Sequence, residues 1–481
     1  MNIRFVRQIR ERTDLDITND TQPNPLIMKN FIASFLAAIV ISASVFAAEP
    51  VKPVYSVVVS EQTNANADWA PVVTALKDKY AEKFDVKVVL WKELSDALPA
   101  LKEQQPTYIC FVCDPSEAKP TFVVACHKLT RQLDDDPYTD AIWAILTGYE
   151  AADALRIVAA PDMTVTTLCA ATEVPLNAFD SGICYDELVK GKVVSKEKGK
   201  EIVEKADGPA DTTQPIADAM AQNQVFVTSG HASTHDWMIG YTYRNGFFVS
   251  EKGQLYGRPV TGDKFPITQT NAKLHLGVGN CLIGGIDGEN AMALALIHSA
   301  GVNTQVGYVV PSWFGYMGWG MLDYYVEQPG RFTVAEAFYA NNQALTWNLN
   351  REDCPRQMKS GLEYDQNVVA IYGDPAWQNK IQAQDSGWKQ ELTSKALDNG
   401  KTEWTLTVTP LKGKDSFKLL SYNGSQRGGR PIFQFLPQRV KGVEIQDGNP
   451  YDAVVTDNFI LLSAPDKCRD GEPVQIRFIA E

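Results

Sequence analysis

The sequence predicts an α/β protein, in which a three-layer α/β/α sandwich around a mostly parallel β-sheet is followed by a small all-β sandwich. From residue 54 onward, short apolar segments alternate with amphipathic segments, as strands and helices do around a parallel sheet. The apolar segments 225–232 and 274–281 are nearly continuous, which is typical of strands buried on both faces. After Trp377 the pattern changes to short alternating segments between Gly and Asn turns, which indicates a β-sandwich.

The first 48 residues are expected to be a leader and a signal peptide. A basic start at Met28, an apolar run at 31–46 and small residues at 47–48 are the features of a secretory signal. The apolar run has 16 residues, whereas a membrane-spanning helix needs about 20. We therefore expect translation to start at Met28, although a long amino-terminal region remains an alternative. The mature chain is expected to be exported to the periplasm, the cell surface or the extracellular space, without a membrane span.

Composition limits the partners and the cysteine chemistry. The formal net charge of −13 argues against nucleic acid and anionic membranes as partners. Cys110 and Cys113 have the spacing of redox motifs, but residues three apart on a strand face opposite sides. We expect buried thiols or one disulfide there, and no metal or cofactor is predicted.

The amino-terminal α/β subdomain is assigned to residues 49–205. Its strands and helices alternate clearly, with apolar strands of five or six residues and helices that carry one apolar face. Strands are predicted at 54–59, 86–90 and 108–112, and helices at 68–84 and 94–104. Residues 191–223 are rich in Lys, Glu and Ala, and we expect exposed helix and linker there.

The second α/β subdomain, at 206–385, contains the two buried strands. A linker is predicted at 386–400 and the β-sandwich at 401–481. Further elements of the second subdomain are predicted helices at 288–300 and 332–349, and strands at 304–310 and 368–372.

A histidine and a cysteine follow the two buried strands. The run at 225–230 stops at His231, and the run at 274–280 stops at Cys281. Sites in open α/β sheets form beyond the carboxyl ends of strands, so neighbouring strands would place imidazole and thiol together. The imidazole then lowers the thiol pKa, and the thiolate acts as nucleophile. The sequence therefore predicts Cys281 as nucleophile and His231 as general base, against the alternative that both are packed core residues.

This order and spacing resembles the cysteine peptidases grouped with caspases, legumains and gingipains. The gingipain family is the nearest, because 368–375, which ends in Gly373-Asp374-Pro375, resembles its closing strand and turn. The resemblance covers roughly residues 54–380. It implies a caspase-like fold, an immunoglobulin-like domain after it, and an endopeptidase acting on polypeptides.

Further site residues follow from preorganised amides and from the resemblance. The oxyanion donors are expected to be the Cys281 N–H and an N–H of the loop from Gly230 to Ala232. The resemblance implies that the loop with Asp136 and Asp140 borders the substrate cleft, although these aspartates also suit a solvated helix cap. It implies as well that a tryptophan walls the substrate pocket. Trp313 and Phe314 are the candidates, with core packing as the alternative.

One departure from the family pattern concerns activity. The family has glycine directly after the histidine, whereas this chain has Ala232. If the loop needs glycine conformations, alanine strains it and weakens the oxyanion site. The alternative function is therefore an inactive or feeble homologue that binds proteins at the cell surface. A zinc site at His231 and His235 has helical spacing but lacks the glutamate of the metalloprotease motif.

Overall fold

A large mostly parallel β-sheet dominates the computed structural model, which describes residues 52–418, 426–449, 451–465 and 468–481. The predicted leader and signal peptide at 1–48, with the predicted start at Met28, lies outside the described residues. No helix in these described ranges is both long enough and apolar enough to cross a membrane.

The α/β part contains sixteen strands and ten α-helices. The strands are β1 (Val54–Ser60), β2 (Asp85–Trp91), β3 (Tyr108–Val112), β4 (Ile142–Leu146), β5 (Thr167–Ala171), β6 (Ser181–Tyr185), β7 (Val193–Lys196), β8 (Val203–Lys205), β9 (Val225–Thr228), β10 (Asp236–Met238), β11 (Phe247–Glu251), β12 (Gln254–Arg258), β13 (Phe265–Ile267), β14 (Lys273–Gly277), β15 (Val302–Tyr308) and β16 (Val369–Tyr372). The helices are α1 (Glu61–Ala65), α2 (Ala70–Tyr80), α3 (Leu98–Gln104), α4 (Pro120–Thr130), α5 (Ala151–Ala159), α6 (Thr213–Gln222), α7 (Met292–His298), α8 (Tyr316–Met321), α9 (Val334–Asn350) and α10 (Arg356–Asp365).

Twelve of these strands form one sheet, in the order β2-β1-β3-β4-β16-β15-β14-β9-β5-β6-β7-β8. The predicted α/β class with a mostly parallel sheet is thereby confirmed. Strands from both predicted subdomains share this sheet, so no sheet boundary separates 49–205 from 206–385. Because β16 is antiparallel to β15 and parallel to β4, strands β1–β4 run opposite to β5, β9, β14 and β15. The carboxyl ends of β9 and β14 therefore lie at the same sheet edge as the amino end of β4.

The carboxyl-terminal part forms two small antiparallel sheets. One has the order β17-β18-β23-β20 and the other β19-β22-β21. Their strands are β17 (Trp388–Ala396), β18 (Thr402–Pro410), β19 (Ile432–Phe435), β20 (Glu444–Ile445), β21 (Val454–Val455), β22 (Phe459–Leu462) and β23 (Val474–Ala480). Apolar side chains of β18, β22 and β23 form a shared core, while Phe433 and Phe459 join the core of the α/β part.

One predicted linker is wrong, and the prediction of exposed helix and linker at 191–223 is confirmed only in that it contains helix α6. The linker at 386–400 contains β17, which pairs with β18 along its whole length. Polar residues fill β17 because it is an edge strand whose side chains are mostly solvent-exposed, so its composition looked like that of a linker. Residues 191–223 likewise contain β7 and β8 before helix α6, and β8 is again an exposed edge strand.

The aspartate of the Gly-Asp-Pro turn ties the sheet to a helix. The Asp374 carboxylate accepts hydrogen bonds from the hydroxyls of Tyr55 at 2.9 Å and Tyr80 at 2.6 Å. It also pairs with Lys79 Nζ at 2.9 Å. One buried carboxylate thus joins the end of β16 to β1 and α2.

We predict that Asp374→Ala lowers the free energy of unfolding by about 3 kcal/mol, because two hydroxyls and an ammonium lose their shared acceptor. Chemical denaturation followed by tryptophan fluorescence measures this difference. The exposed Asp385 provides the control, since Asp385→Ala should change stability by less than about 0.5 kcal/mol. Equal effects of the two substitutions would contradict the role assigned to Asp374.

Candidate active site

Strands β9 and β14 are adjacent and parallel, as the candidate pair requires. Their register aligns Thr228 with Gly277, and the Val278 N–H donates to the Thr228 carbonyl at 3.0 Å. His231 and Cys281 lie on the loops that leave these two strand ends, with His231 exposed and Cys281 half-buried.

The two loops are in direct contact just before the histidine and the cysteine. A Cβ on Gly279 would lie 2.3 Å from Ser229 Oγ, so this approach requires glycine. The Asn280 side chain also donates to the Gly230 carbonyl at 3.2 Å. Among the described residues, no hydrogen bond joins Cys281 Sγ to the His231 imidazole, so their direct interaction stays a prediction.

A third loop, which follows β15, supplies the immediate partners of the cysteine sulfur. The Ser312 N–H donates to Cys281 Sγ at 3.3 Å, and Ser312 Oγ lies 3.6 Å from the same sulfur. The hydroxyl in turn donates to the Gly279 carbonyl at 2.9 Å. The loop after β15 therefore holds the cysteine sulfur through the amide and the hydroxyl of Ser312.

Backbone strain occurs directly after Cys281. Leu282 has a φ of 60°, a left-handed conformation that costs a non-glycine residue about 1–2 kcal/mol. The turn is held because the Leu282 N–H donates to the Val310 carbonyl at 3.1 Å, while the Leu282 carbonyl accepts from the Gly285 N–H at 2.8 Å. Such strained residues cluster at active sites and ligand clamps.

On the histidine side, an exposed tyrosine covers the imidazole. The rings of His231 and Tyr241 stack with centroids 4.7 Å apart and an interplanar angle of 28°. The His231 carbonyl accepts from the Met238 N–H at 2.9 Å, which fixes the backbone of the loop. Tyr241 remains 50% exposed, so its other face is open to solvent or to a ligand.

Ala232 does not have the strained backbone that the sequence left open, and its effect on the oxyanion site stays a prediction. Its φ is not positive, and its side chain packs against the cluster that contains Phe226 and Trp237. Gly230 is the residue in this loop that has a left-handed φ, at 96°.

The predicted oxyanion donors make no backbone hydrogen bond of their own. Within the described ranges, the backbone N–H groups of Gly230, Ala232 and Cys281 donate to no backbone carbonyl. Their role as oxyanion donors stays a prediction.

A buried glutamate beside the histidine loop was missed in the sequence. Glu187 follows β6 and is 5% exposed, with Oε1 accepting from Thr172 Oγ1 at 2.9 Å. A Cβ on Gly230 would lie 3.5 Å from Glu187 Oε2, and the Tyr241 N–H donates to the Glu187 carbonyl at 2.7 Å. Burial raises the pKa of Glu187 to about 7, against the hydrogen bond from Thr172 that lowers it. The sequence signal that could have identified Glu187 was its position after β6, whose carboxyl end lies at the same sheet edge as that of β9.

The predicted substrate-binding aromatics divide into one exposed and one buried residue. Trp313 is 59% exposed, follows the cysteine-binding Ser312, and contacts Tyr364 with ring centroids 5.3 Å apart. This position suits a pocket wall. Phe314 is buried instead, and a Cβ on Gly361 would lie 2.2 Å from its ring. This burial favours the core-packing alternative for Phe314, and its assignment to substrate contact stays a prediction.

Asp136 and Asp140 lie at the amino end of β4, where they face the carboxyl-terminal sheets. The Asp140 carbonyl accepts from Arg439 at 2.8 Å and from Asn458 at 2.9 Å. Burial raises the pKa of Asp140 to about 8 and that of Asp136 to about 6. These contacts give the loop a packing role and lend no support to a place in a substrate cleft.

Two aspartates of this loop and one of the carboxyl-terminal part form an acidic cluster that could hold a metal ion. Oxygens of Asp134, Asp140 and Asp457 lie within 4.8 Å of one another, and Asp457 is paired with Arg439. The zinc alternative fails, because the segment from His231 to His235 is not helical, and His235 pairs with Asp287 at 3.1 Å.

Comparison with protein-family models, with curated proteins and with solved structures found no match. The function proposed below therefore depends on the residues and the geometry of this chain.

We predict that Leu282→Gly is more stable than Leu282→Ala by about 1 kcal/mol, because glycine adopts a positive φ without steric cost. Chemical denaturation of both variants measures the difference. At position 232 alanine should be the more stable residue, because the backbone there has no positive φ. Ala232→Gly should therefore be less stable than the parent by about 0.5–1 kcal/mol. A Leu282→Gly variant that is less stable than Leu282→Ala would contradict the strain.

Glu187 predicts a specific pH dependence of stability. Its pKa is about 7 in the folded protein and 4.5 by reference, so between these values the folded state keeps a proton that the unfolded state has released. The stabilisation of the folded state that this proton provides is complete below pH 4.5 and is lost as pH rises through 7. Relative to Glu187→Gln, the parent should lose on the order of 3 kcal/mol between pH 4.5 and 8.

Denaturation curves at each pH measure this difference, and Glu204→Gln, at an exposed position nearby, is the control. Parallel pH profiles for the parent and Glu187→Gln would show that Glu187 does not carry the effect.

Proposed function

We propose that this protein is an exported, gingipain-like cysteine endopeptidase that hydrolyses peptide bonds through Cys281, with His231 as general base and acid. The observation that carries the proposal is the parallel pairing of β9 with β14. It brings the two loops with these residues to one sheet edge, where Ser229 meets Gly279.

Each step of the proposed reaction has a group to perform it. The Cys281 thiolate attacks the substrate carbonyl carbon, and the negative charge on its oxygen is received by the N–H groups of Cys281 and the Gly230–Ala232 loop. The His231 imidazolium then protonates the leaving amine as the C–N bond breaks, which leaves a thioester. Finally His231 takes a proton from water, the hydroxide attacks the thioester, and the acid and the thiol are released.

Neighbouring residues support these roles. The Ser312 N–H donates to the Cys281 sulfur, and the exposed rings of Trp313 and Tyr241 offer walls for an extended polypeptide. Glu187 is the candidate third group, because a catalytic base is commonly oriented by another side chain. A buried carboxyl with a shifted pKa at a strand end also marks a candidate functional site.

We further propose the caspase-like version of the α/β fold and an immunoglobulin-like arrangement of the carboxyl-terminal sheets. The order of His231 before Cys281 on adjacent strands, and the Gly-Asp-Pro turn after β16, support this assignment. Export rests on the signal-like sequence at 28–48.

The second candidate function is a catalytically inactive or feeble homologue that binds proteins at the cell surface. It is favoured by the resting geometry, in which His231 stacks on Tyr241 and Cys281 contacts Ser312. Thiol-reactive peptide probes distinguish the two functions. Labelling that is confined to Cys281 and abolished by denaturation supports the peptidase, whereas equal labelling of native and denatured protein supports the binding module.

We predict that Cys281→Ala abolishes peptidase activity, because no other group can form the thioester. His231→Ala should retain a small residual activity, because some thiolate forms without the base. Hydrolysis of unfolded protein substrates by the purified mature chain measures both. Cys354→Ala, at another half-buried cysteine, is the matched control and should keep the parent rate. Full activity in Cys281→Ala would contradict the proposed mechanism.

A further inference from the structure

A chain of buried polar side chains crosses the strand ends beneath the candidate dyad. Thr228 Oγ1 lies 2.9 Å from His275 Nε2 and donates to Asn280 Oδ1 at 2.6 Å. Asn280 Nδ2 donates to the Gly230 carbonyl at 3.2 Å. Thr228, His275 and Asn280 are each fully buried, at 0% exposure.

The number of available protons fixes which group donates and which accepts at each hydrogen bond of this polar network. The Gly230 carbonyl only accepts, so the Asn280 amide must present its NH₂ group there and its oxygen to Thr228. The single Thr228 proton then goes to Asn280, so the His275 Nε2 must carry a proton and donate to Thr228. Burial lowers the pKa of His275 to about 3, which keeps this imidazole neutral with one proton to place.

The chain connects the two loops at the residues next to the dyad. Asn280 directly precedes Cys281, and Gly230 directly precedes His231. The β9–β14 ladder ends earlier, at Thr228 and Gly277. Past that point, the Asn280 amide joins the two loops at the residues next to the dyad, whereas Thr234 and His235 bind Asp287 farther along the same loops.

Packing alone does not explain these polar groups. The neighbouring positions of β9 and β14 are buried and mostly apolar, and His275 Nδ1 has no hydrogen-bond partner among the described residues. A buried nitrogen without a partner destabilises a fold, whereas apolar side chains of similar volume would avoid that cost. A directional network does what apolar side chains cannot, because it fixes the relative position of the groups that it joins.

We propose that Asn280 is a positioning residue, held by Thr228 and His275, which sets the spacing between Cys281 and His231 by anchoring the Gly230 carbonyl. This inference rests on the proposed function, because it assumes that His231 acts on the Cys281 thiol. Asn280 itself touches no reacting atom, and its effect is transmitted through the backbone of the histidine loop.

The test measures Cys281 alkylation by iodoacetamide across pH, with the modified site assigned by mass spectrometry. This readout needs no peptidase activity. Thr228→Val removes the hydroxyl at nearly constant volume, and Thr228→Ser keeps it. We expect Thr228→Val to lower the rate of Cys281 alkylation near neutral pH about tenfold, because a displaced imidazole activates the thiol less. Thr228→Ser should restore the parent profile.

Combination with His231→Ala separates positioning from a general loss of structure. If the network acts through His231, Thr228→Val adds no further change to a His231→Ala background. If Thr228→Val changes Cys281 alkylation equally in the parent and in His231→Ala, the inference is overturned. It is also overturned if folded Thr228→Val keeps the parent alkylation profile while His231→Ala alters it. Asn280→Ala provides the same comparison if Thr228→Val does not fold.

Failure of the proposed function gives a different result. If His231→Ala leaves the Cys281 alkylation profile unchanged, the histidine does not act on the thiol, which overturns the dyad and the inference together. An altered profile in His231→Ala keeps the dyad, and the Thr228 and Asn280 variants then decide the positioning role alone.

Discussion

The parallel pairing of β9 with β14 is the interaction on which the rest of the candidate site depends. Both strands are buried, so a register slip would move apolar side chains and cost much of the core. Their shared register determines where the two loops begin, and glycine at position 279 allows the loops to touch there. Backbone pairing therefore fixes where the two loops start, and the Asn280 amide joins them next to His231 and Cys281.

A second constraint comes from the antiparallel junction of β15 and β16 inside an otherwise mostly parallel sheet. Because the strand direction reverses there, the amino end of β4 opens at the same edge as the loops of β9 and β14. The carboxyl-terminal sheets use this end of β4, where Arg439 and Asn458 bind the Asp140 carbonyl. One edge of the sheet thus serves as an anchor for the β part and as the place where the candidate site opens.

The sequence was most informative where burial imposes a pattern. Apolar runs identified β9 and β14, and their last residues identified His231 and Cys281. The sequence was misleading where burial is absent, as in the polar edge strand β17. It was also uninformative about single residues that belong to no repeating apolar pattern. Glu187 belongs to the second class, because a carboxyl after a strand looks like an ordinary loop residue until β6 is known to lie on the same edge. The left-handed Leu282 gave no signal either, since leucine is not a residue that favours a positive φ.

Backbone strain lies after the cysteine, at Leu282, and not after the histidine, at Ala232. The resemblance noted in the sequence directed attention to the residue after the histidine, yet Ala232 has no positive φ and a packed side chain. The unusual backbone follows the cysteine, where the loops after β14 and β15 hold Leu282 in place. Strain at that point turns the chain immediately after Cys281, which leaves its N–H without a backbone acceptor and its sulfur on the Ser312 amide. The candidate nucleophile of our proposal is therefore positioned by its own turn and by the loop after β15, while the histidine loop accepts alanine without a positive φ.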